Sequence, residues 1–444
     1  MTEFFGSLFW MLVSLGLLVN IHELGHYAAA RLFGIRVLRF SFGWGSPLWK
    51  RTDRTGTEWA IAPFLVGGYV QMLDDRAMEV TPDELPESLN AKPVWQRMVV
   101  LAAGPLANLA LCVALLWLMF VIGKPDVAPQ VSLADGPAAV AGIREGDRIL
   151  AVGDRDTPTW TDAAGAMAFV GMDRVAVPVR VRGLDGRERE VVLPFDAIPE
   201  GTRPQDVVAA IGLREYLPAR IGQVMPGTAA EGRLQAGDLV LALGGREVGN
   251  YYRLGPLLQA LAAPGDTVVV TVERDGRRLD VPVDPRLSGS GPDAVWRLGT
   301  IASDPREIAV LRYGPLQAVP QALRTTAQLA SDTLGLLGRI VVGRASLENV
   351  SGPVTIARAA NVMAGVGPAW FLNFLAVLSL GLCIINLLPV PVLDGGHLLY
   401  YLIELAKGSP VGENARVAGQ FLGLAMIAGL MGLAFYNDLF RPGF

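Results

Sequence analysis

Three histidines occur in 444 residues, and two of them, His22 and His26, bracket Glu23 in the run NIHELGHYAA. On an α-helix residues i and i+4 share a face one turn apart, so two imidazoles placed this way can grip one metal ion. Glu23 projects about 100° round the axis from His22 and can reach a metal-bound water without displacing it. H-E-x-x-H on a helix is the zinc hydrolase pattern, with the glutamate as general base. A catalytic zinc needs a third protein ligand and an open position. Asp394 and the last histidine, His397, both lie in NLLPVPVLDGGHLL, residues 386–399. Chemistry alone accepts either as third ligand. Gly395 and Gly396 after Asp394 permit a tight turn and close backbone approach.

The elements that must position these groups are apolar. The chain is 51% hydrophobic and 18% charged, against roughly 25% charged in ordinary soluble proteins. Apolar segments long enough to span a bilayer fall at 1–30, 98–122, 369–398 and 417–436, the third with its helix near Ala369–Leu388 because Pro389 and Pro391 break it. The fold class expected is therefore a polytopic α-helical membrane protein with four transmembrane helices. Glu3 and the absence of early Lys or Arg argue against a cleaved signal peptide. Net charge is −4 without a basic tract, which sets nucleic acid aside as a partner. Cys112 and Cys383 sit in apolar runs and read as small buried hydrophobes.

Arg31, Arg36, Arg39, Lys50, Arg51 and Arg54 follow the first span, and Lys92 and Arg97 precede the second. The positive-inside bias makes the 31–97 loop cytoplasmic and the 123–360 segment and both termini external. His22 and His26 then lie roughly 7–14 Å inside the cytoplasmic edge. The third span runs outside to inside, so Asp394 and His397 arrive at the same depth. Ionisable groups there are expensive and face a polar cavity or a partner.

The external segment repeats itself. GPAAVAGIREGDRILAVGDR (136–155) aligns with GTAAEGRLQAGDLVLALGGR (227–246). Each copy is expected to hold a short Ala-rich helix, a Gly-Asp turn and an apolar strand (Arg148–Val152; Leu239–Leu243), with further strands at Ala176–Arg182 and Thr267–Glu273. The pattern resembles PDZ domains in both copies, at 127–208 and 209–300. In that family a peptide pairs with a sheet edge beside a carboxylate-binding loop, for which Ile211, Gly212 and Leu213 are the candidates in the second copy. A spacer or size filter is the alternative role. Residues 315–350 suggest one or two amphipathic helices beside the membrane.

HELGH in the first span, the two PDZ-like repeats and N-x-x-P-x-P-x-L-D-G in the third span resemble the site-2 protease family. GGYV at 67–70, AAGPLAN at 102–108 and SGP at 351–353 extend the match nearly end to end. The resemblance implies an intramembrane metalloprotease with Zn2+ held by His22, His26 and Asp394, Glu23 as base, and Asn386 near the substrate carbonyl. Gly381 stands where many relatives carry a second Asn. It implies a membrane-dipping β-hairpin at 58–72, where Gly67, Gly68 and Tyr69 could hold the unwound substrate as an added strand. It also implies the lipid bilayer of the bacterial inner membrane as location. The substrates implied are single-span transmembrane proteins trimmed on the outer side: a membrane anti-sigma factor or leftover signal peptides. A membrane PDZ scaffold or zinc-handling protein without peptidase activity is the competing reading.

Overall fold

The structure is a computed structural model that describes residues 2–76, 78–133, 136–289, 294–303, 307–343 and 352–440. It divides into Met1–Lys124 with Arg312–Phe444, and Pro125–Leu311.

The first unit opens with α1 (Thr2–Leu32), one unbroken helix through HELGH. Strands β1 (Val37–Trp44), β2 (Trp49–Thr52), β3 (Glu58–Ile61) and β4 (Phe64–Met72) form a sheet in the order β2-β3-β1-β4. The expected hairpin over 58–72 is not formed. Its halves, β3 and β4, lie on opposite sides of β1, parallel and antiparallel to it. Two features produce this. Phe40 of β1 is buried and stacks on Trp59 of β3 at 4.9 Å. Gly43, at φ +94°, leaves room for the chain to cross from β3 to β4, because a Cβ there would lie 2.8 Å from Ala62 O and 2.9 Å from Phe64 O. Strand β4 is thus a sheet edge.

Helix α2 (Val94–Ile122) follows, with Pro105 accommodated inside it. It meets α1 at small residues: a Cβ on Gly25 would stand 2.2 Å from Ala103 O. Such stripes let membrane helices approach backbone to backbone.

The second unit begins near β5 (Lys124–Val127) and holds two successive modules. The first contains β6 (Val131–Leu133), α3 (Pro137–Ala141), β7 (Arg148–Val152), β8 (Arg155–Asp156), α4 (Trp160–Gly171), β9 (Ala176–Arg182), β10 (Glu188–Pro194), α5 (Val207–Ala210) and β11 (Leu213–Glu215). The second contains β12 (Ile221–Val224), β13 (Leu239–Leu243), β14 (Arg246–Glu247), α6 (Leu254–Leu261), β15 (Val268–Arg274), β16 (Arg277–Val283), β17 (Arg286–Ser288), β18 (Val295–Arg297) and β19 (Thr300–Ala302), with β20 (Ile308–Leu311) after it. Their sheets match: β10-β9-β7-β8 and β14-β13-β15-β16, each beside a two-stranded pair, β11-β6 and β12-β19. Each has its own apolar core. The repeated Gly-Asp turn has one purpose in both. Asp147 and Asp238 are buried and bind Arg189 and Arg274. Burial alone would raise the Asp238 carboxyl, but the Arg274 guanidinium brings it below the usual range.

Two expectations about the repeat are corrected. The second copy has no Ala-rich helix matching α3; residues 226–234 are turns. Ile211, Gly212 and Leu213 belong to the first module. Ile211 and Leu213 sit in its core, β11 pairs with β6, and Ile211 O accepts from Ala138 N at 2.9 Å. The equivalent bond in the second module is Ala230 N to Leu298 O, also 2.9 Å, so its matching loop is Leu298-Gly299-Thr300. The reading failed because the repeat's closing strand lies far downstream of its Gly-Asp turn, so the boundary at 208/209 cut off the first copy's last strand.

The chain returns to the first unit at Tyr313, whose N–H donates to Phe120 O at 2.9 Å. Helix α7 (Pro315–Val341) lies along α2, with Ala318, Ala322 and Thr326 buried. The last part of the expected amphipathic region, 344–350, lies outside the described residues. Helix α8 (Pro353–Val366) is capped by Asp438, which accepts from Gly352 N, Val354 N, Thr355 N and the Thr355 hydroxyl. Helix α9 (Pro368–Leu387) is the third apolar helix. The segment 369–398 is not one helix: it breaks at 388–393, where Pro389 and Pro391 cannot continue the ladder, and restarts as α10 (Asp394–Lys407). Helix α11 (Glu413–Phe440) braces that break, since a Cβ on Gly423 would fall 1.7 Å from Pro391 O. Among the described residues four helices, α1, α2, α9 and α11, are long and apolar enough to cross a membrane.

Candidate active site

Helix α1 places His22 and His26 on one face, both buried, with Nε2 atoms 3.1 Å apart. The break after α9 swings Asp394 to the same point. Its Oδ2 lies 3.0 Å from His22 Nε2 and 3.4 Å from His26 Nε2. Four ligands arranged tetrahedrally at zinc distances stand about 3.3–3.6 Å from one another, so these three atoms have the spacing of ligands round one ion. Among the described residues they form a cluster of metal-binding type, with ligand atoms within 4.8 Å.

The hydrogen bonding suits a cation. The His26 Nδ1–H donates to Val100 O at 2.8 Å, which in the neutral ring leaves His26 Nε2 as a lone pair. With both Nε2 ring nitrogens as lone pairs, buried Asp394 Oδ2 has no hydrogen-bond donor among the described residues. Asn108 of α2 stands beside the other ring, 3.3 Å from His22 Nδ1, while its Oδ1 is buried without a partner. A His22 that ligates through Nε2 carries its proton on Nδ1, and exchanging the Asn108 amide oxygen and nitrogen would meet that proton. The residues present therefore fit a divalent metal.

The AAGPLAN run serves the site in a way its residue types do not reveal. A Cβ on Gly104 would lie 2.3 Å from His26 Nε2 and 2.9 Å from His22 Nε2. Asn108 O also accepts from Ser379 of α9 at 2.8 Å, which ties α9 to the α1–α2 pair. The available signal was depth: residues 102–108 enter the membrane from the same side as HELGH.

Glu23 faces β4 and accepts from Val70 N at 3.0 Å through Oε2. Further along the same edge, a Cβ on Gly68 would meet Asn20 Oδ1 at 2.9 Å. Gly67 lies under Trp44, where a Cβ would stand 2.5 Å from the indole nitrogen. The Tyr69 hydroxyl accepts from Arg39. Asn386 is in the last turn of α9, half-buried, with no side-chain hydrogen bond to a described residue. Gly381 has open space where a Cβ would point. His397 is in α10 beyond Asp394 and is not a member of the cluster. Ile211, Gly212 and Leu213 are in the other unit.

The family model for peptidase family M50 matches residues 10–430. A protein of Xylella fastidiosa (strain 9a5c) whose name is that of a zinc metalloprotease is 45% identical over 446 residues, 99% of this chain and 100% of that one. The regulator of sigma-E protease RseP of Escherichia coli (strain K12) is 38% identical over 453 residues, covering 99% and 100%. A protease RseP of Yersinia pestis is 37% identical over 451 residues, covering 98% and 99%. With the match running through both the HELGH helix and the Asp394 turn, this chain belongs to peptidase family M50, the zinc-dependent site-2 proteases.

Proposed function

We propose that the zinc of this metalloprotease is held by His22, His26 and Asp394, and that Glu23 is the general base in cleaving a single-span membrane protein. The observation that carries the reading is the meeting of Asp394 with the two imidazoles at ligand spacing. Bound there, zinc supplies a Lewis acid for the scissile carbonyl and an acidified water. The chain's own groups do the rest. Val100 O and Asn108 fix the two rings. Val70 N–H holds Glu23 Oε2, which leaves Oε1 to take the proton of the attacking water and pass it to the leaving amine. Asn386, without a side-chain hydrogen bond to a described residue, is read as a contact to the substrate carbonyl.

A transmembrane substrate is helical, with its backbone shielded, and must be unwound. The β4 edge beside Glu23, with Gly67, Gly68 and Tyr69, supports strand addition as the means. The two external modules are read as PDZ domains that admit only substrates already trimmed. A cavity of about 870 Å³ in the second module, bordered by Tyr251, Leu254, Leu258 and Leu298-Gly299-Thr300, supports peptide capture there. The names of the RseP relatives support sigma-E signalling and a bacterial inner-membrane location. The substrate is then a single-span anti-sigma factor after its first cut, or a remnant signal peptide, with modules and termini outside and zinc near the cytoplasmic face.

The test is cleavage of a reconstituted single-span peptide, mapped by mass spectrometry. A zinc-dependent cut inside or beside the apolar segment is expected from the wild type and not from Glu23→Gln. Equal cutting by both would refute the assignment of the base.

A further inference from the structure

Just past Asp394 the molecule has a second polar cavity, of about 210 Å³, between α10, α11 and the segment that links β4 to α2. His397 and Tyr400 of α10, Arg416 and Gln420 of α11, and Arg76 and Asn90 of the link face it. Its acidic borders are already engaged. Glu404 is clasped by Arg97 at 3.2 and 2.7 Å. Asp74 accepts from Arg76 N and from the Asn90 amide.

Two donors are not engaged. Arg416 Nε and the Tyr400 hydroxyl are both buried and have no hydrogen-bond partner among the described residues. Neither Arg76 nor Arg416 pairs with a carboxylate among the described residues. Unpaired buried donors are costly, and native proteins rarely keep two in one cavity unless a ligand or water meets them. Two guanidinium groups and a hydroxyl suit an oxyanion with several acceptor oxygens.

We propose that this cavity binds a phosphate group, that of an acidic phospholipid. Two observations favour lipid over free phosphate. Arg416 is near the start of a candidate membrane span. Beyond it along α11, Val417, Phe421 and Leu424 are exposed, an apolar track that an acyl chain can follow. The cavity wall is also continuous with the support of the site. A Cβ on Gly419 would stand 2.2 Å from the Tyr400 hydroxyl and 3.5 Å from Pro391 Cγ, so α11 holds both the cavity wall and the turn that presents Asp394. The inference rests on the membrane placement and is independent of the peptidase reading.

Native mass spectrometry of the full-length, zinc-loaded protein tests it, with equimolar phosphatidylglycerol and phosphatidylcholine. Phosphatidylglycerol adducts should dominate, and Arg416→Gln or Arg76→Gln should each cut the preference about fivefold, the weight of one arginine near a charged lipid surface. Tyr400→Phe, which removes one oxygen and keeps the packing, should weaken it with zinc content unchanged. A parallel arm follows inorganic phosphate by 31P line broadening. Broadening that needs Arg416, without lipid preference, supports the phosphate site and identifies free phosphate as its source. Lipid and phosphate behaviour unaffected by all three substitutions would overturn the proposal. None of these readouts needs peptide cleavage, so failure here and failure of the protease assignment are distinguishable.

Discussion

On the proposed reading Glu23 divides its work between two oxygens, and the division can be tested. Glu23→Gln keeps the hydrogen-bonding shape but cannot take a proton. Zinc measured by elemental analysis should stay stoichiometric, while turnover falls by about a hundredfold or more. Gly104→Ala should do the opposite. Its methyl would fall on the imidazole nitrogens, so zinc itself should be lost and activity with it. Asn108→Ala should weaken metal binding by about 10–100-fold, as loss of an orienting group does, readable by chelator competition. The legibility of these residues follows their chemistry. His22, Glu23 and His26 declared themselves because helical spacing alone puts them on one surface. Asp394 and His397 could not be ranked by chemistry, because the choice depends on how the chain leaves α9. Gly104 was invisible as a functional residue because it contributes only the absence of a side chain.

At the level of elements, the four apolar helices were readable from run length, since lipid demands continuous apolar surface. The sheet was not. β1 and β2 lie in a polar-looking connection, and their pairing depends on the crossing at Gly43. Gly43→Val should fill that crossing and displace β4, so cleavage should fall while zinc remains. Gly423→Leu should instead push the 388–393 turn and lower zinc occupancy, since its Cβ position overlaps Pro391 O. In the second unit Glu145 joins the modules, accepting from Leu133 N and from Asn250. Burial pushes its carboxyl above the usual glutamate range despite those bonds. The folded state therefore favours the protonated form. Stability from this group is full below about pH 4.3, the unperturbed value, and declines as pH rises through the elevated one. Thermal melts of the protein across pH should show that decline, and Glu145→Gln should flatten it.

For the whole molecule, residues 125–311 are an insertion in the chain of the first unit. Phe120 O and Tyr313 N are already hydrogen-bonded, so a short linker can replace 125–311 without moving either end. Every residue of the metal cluster lies in the remaining unit. If the two modules act as the proposed filter, the excised protein should keep its zinc and should cut single-span substrates that still carry their outer domains, while the intact protein should not. Retained refusal would show that selection resides in the membrane unit.

The Val70–Glu23 bond ties the proposed proton acceptor to the sheet edge beside it. On that reading, a chain laid along β4 would do more than present its backbone: any tug or twist it exerted would reach the carboxylate through one amide, and a sequence that settled badly would spoil the aim of Glu23.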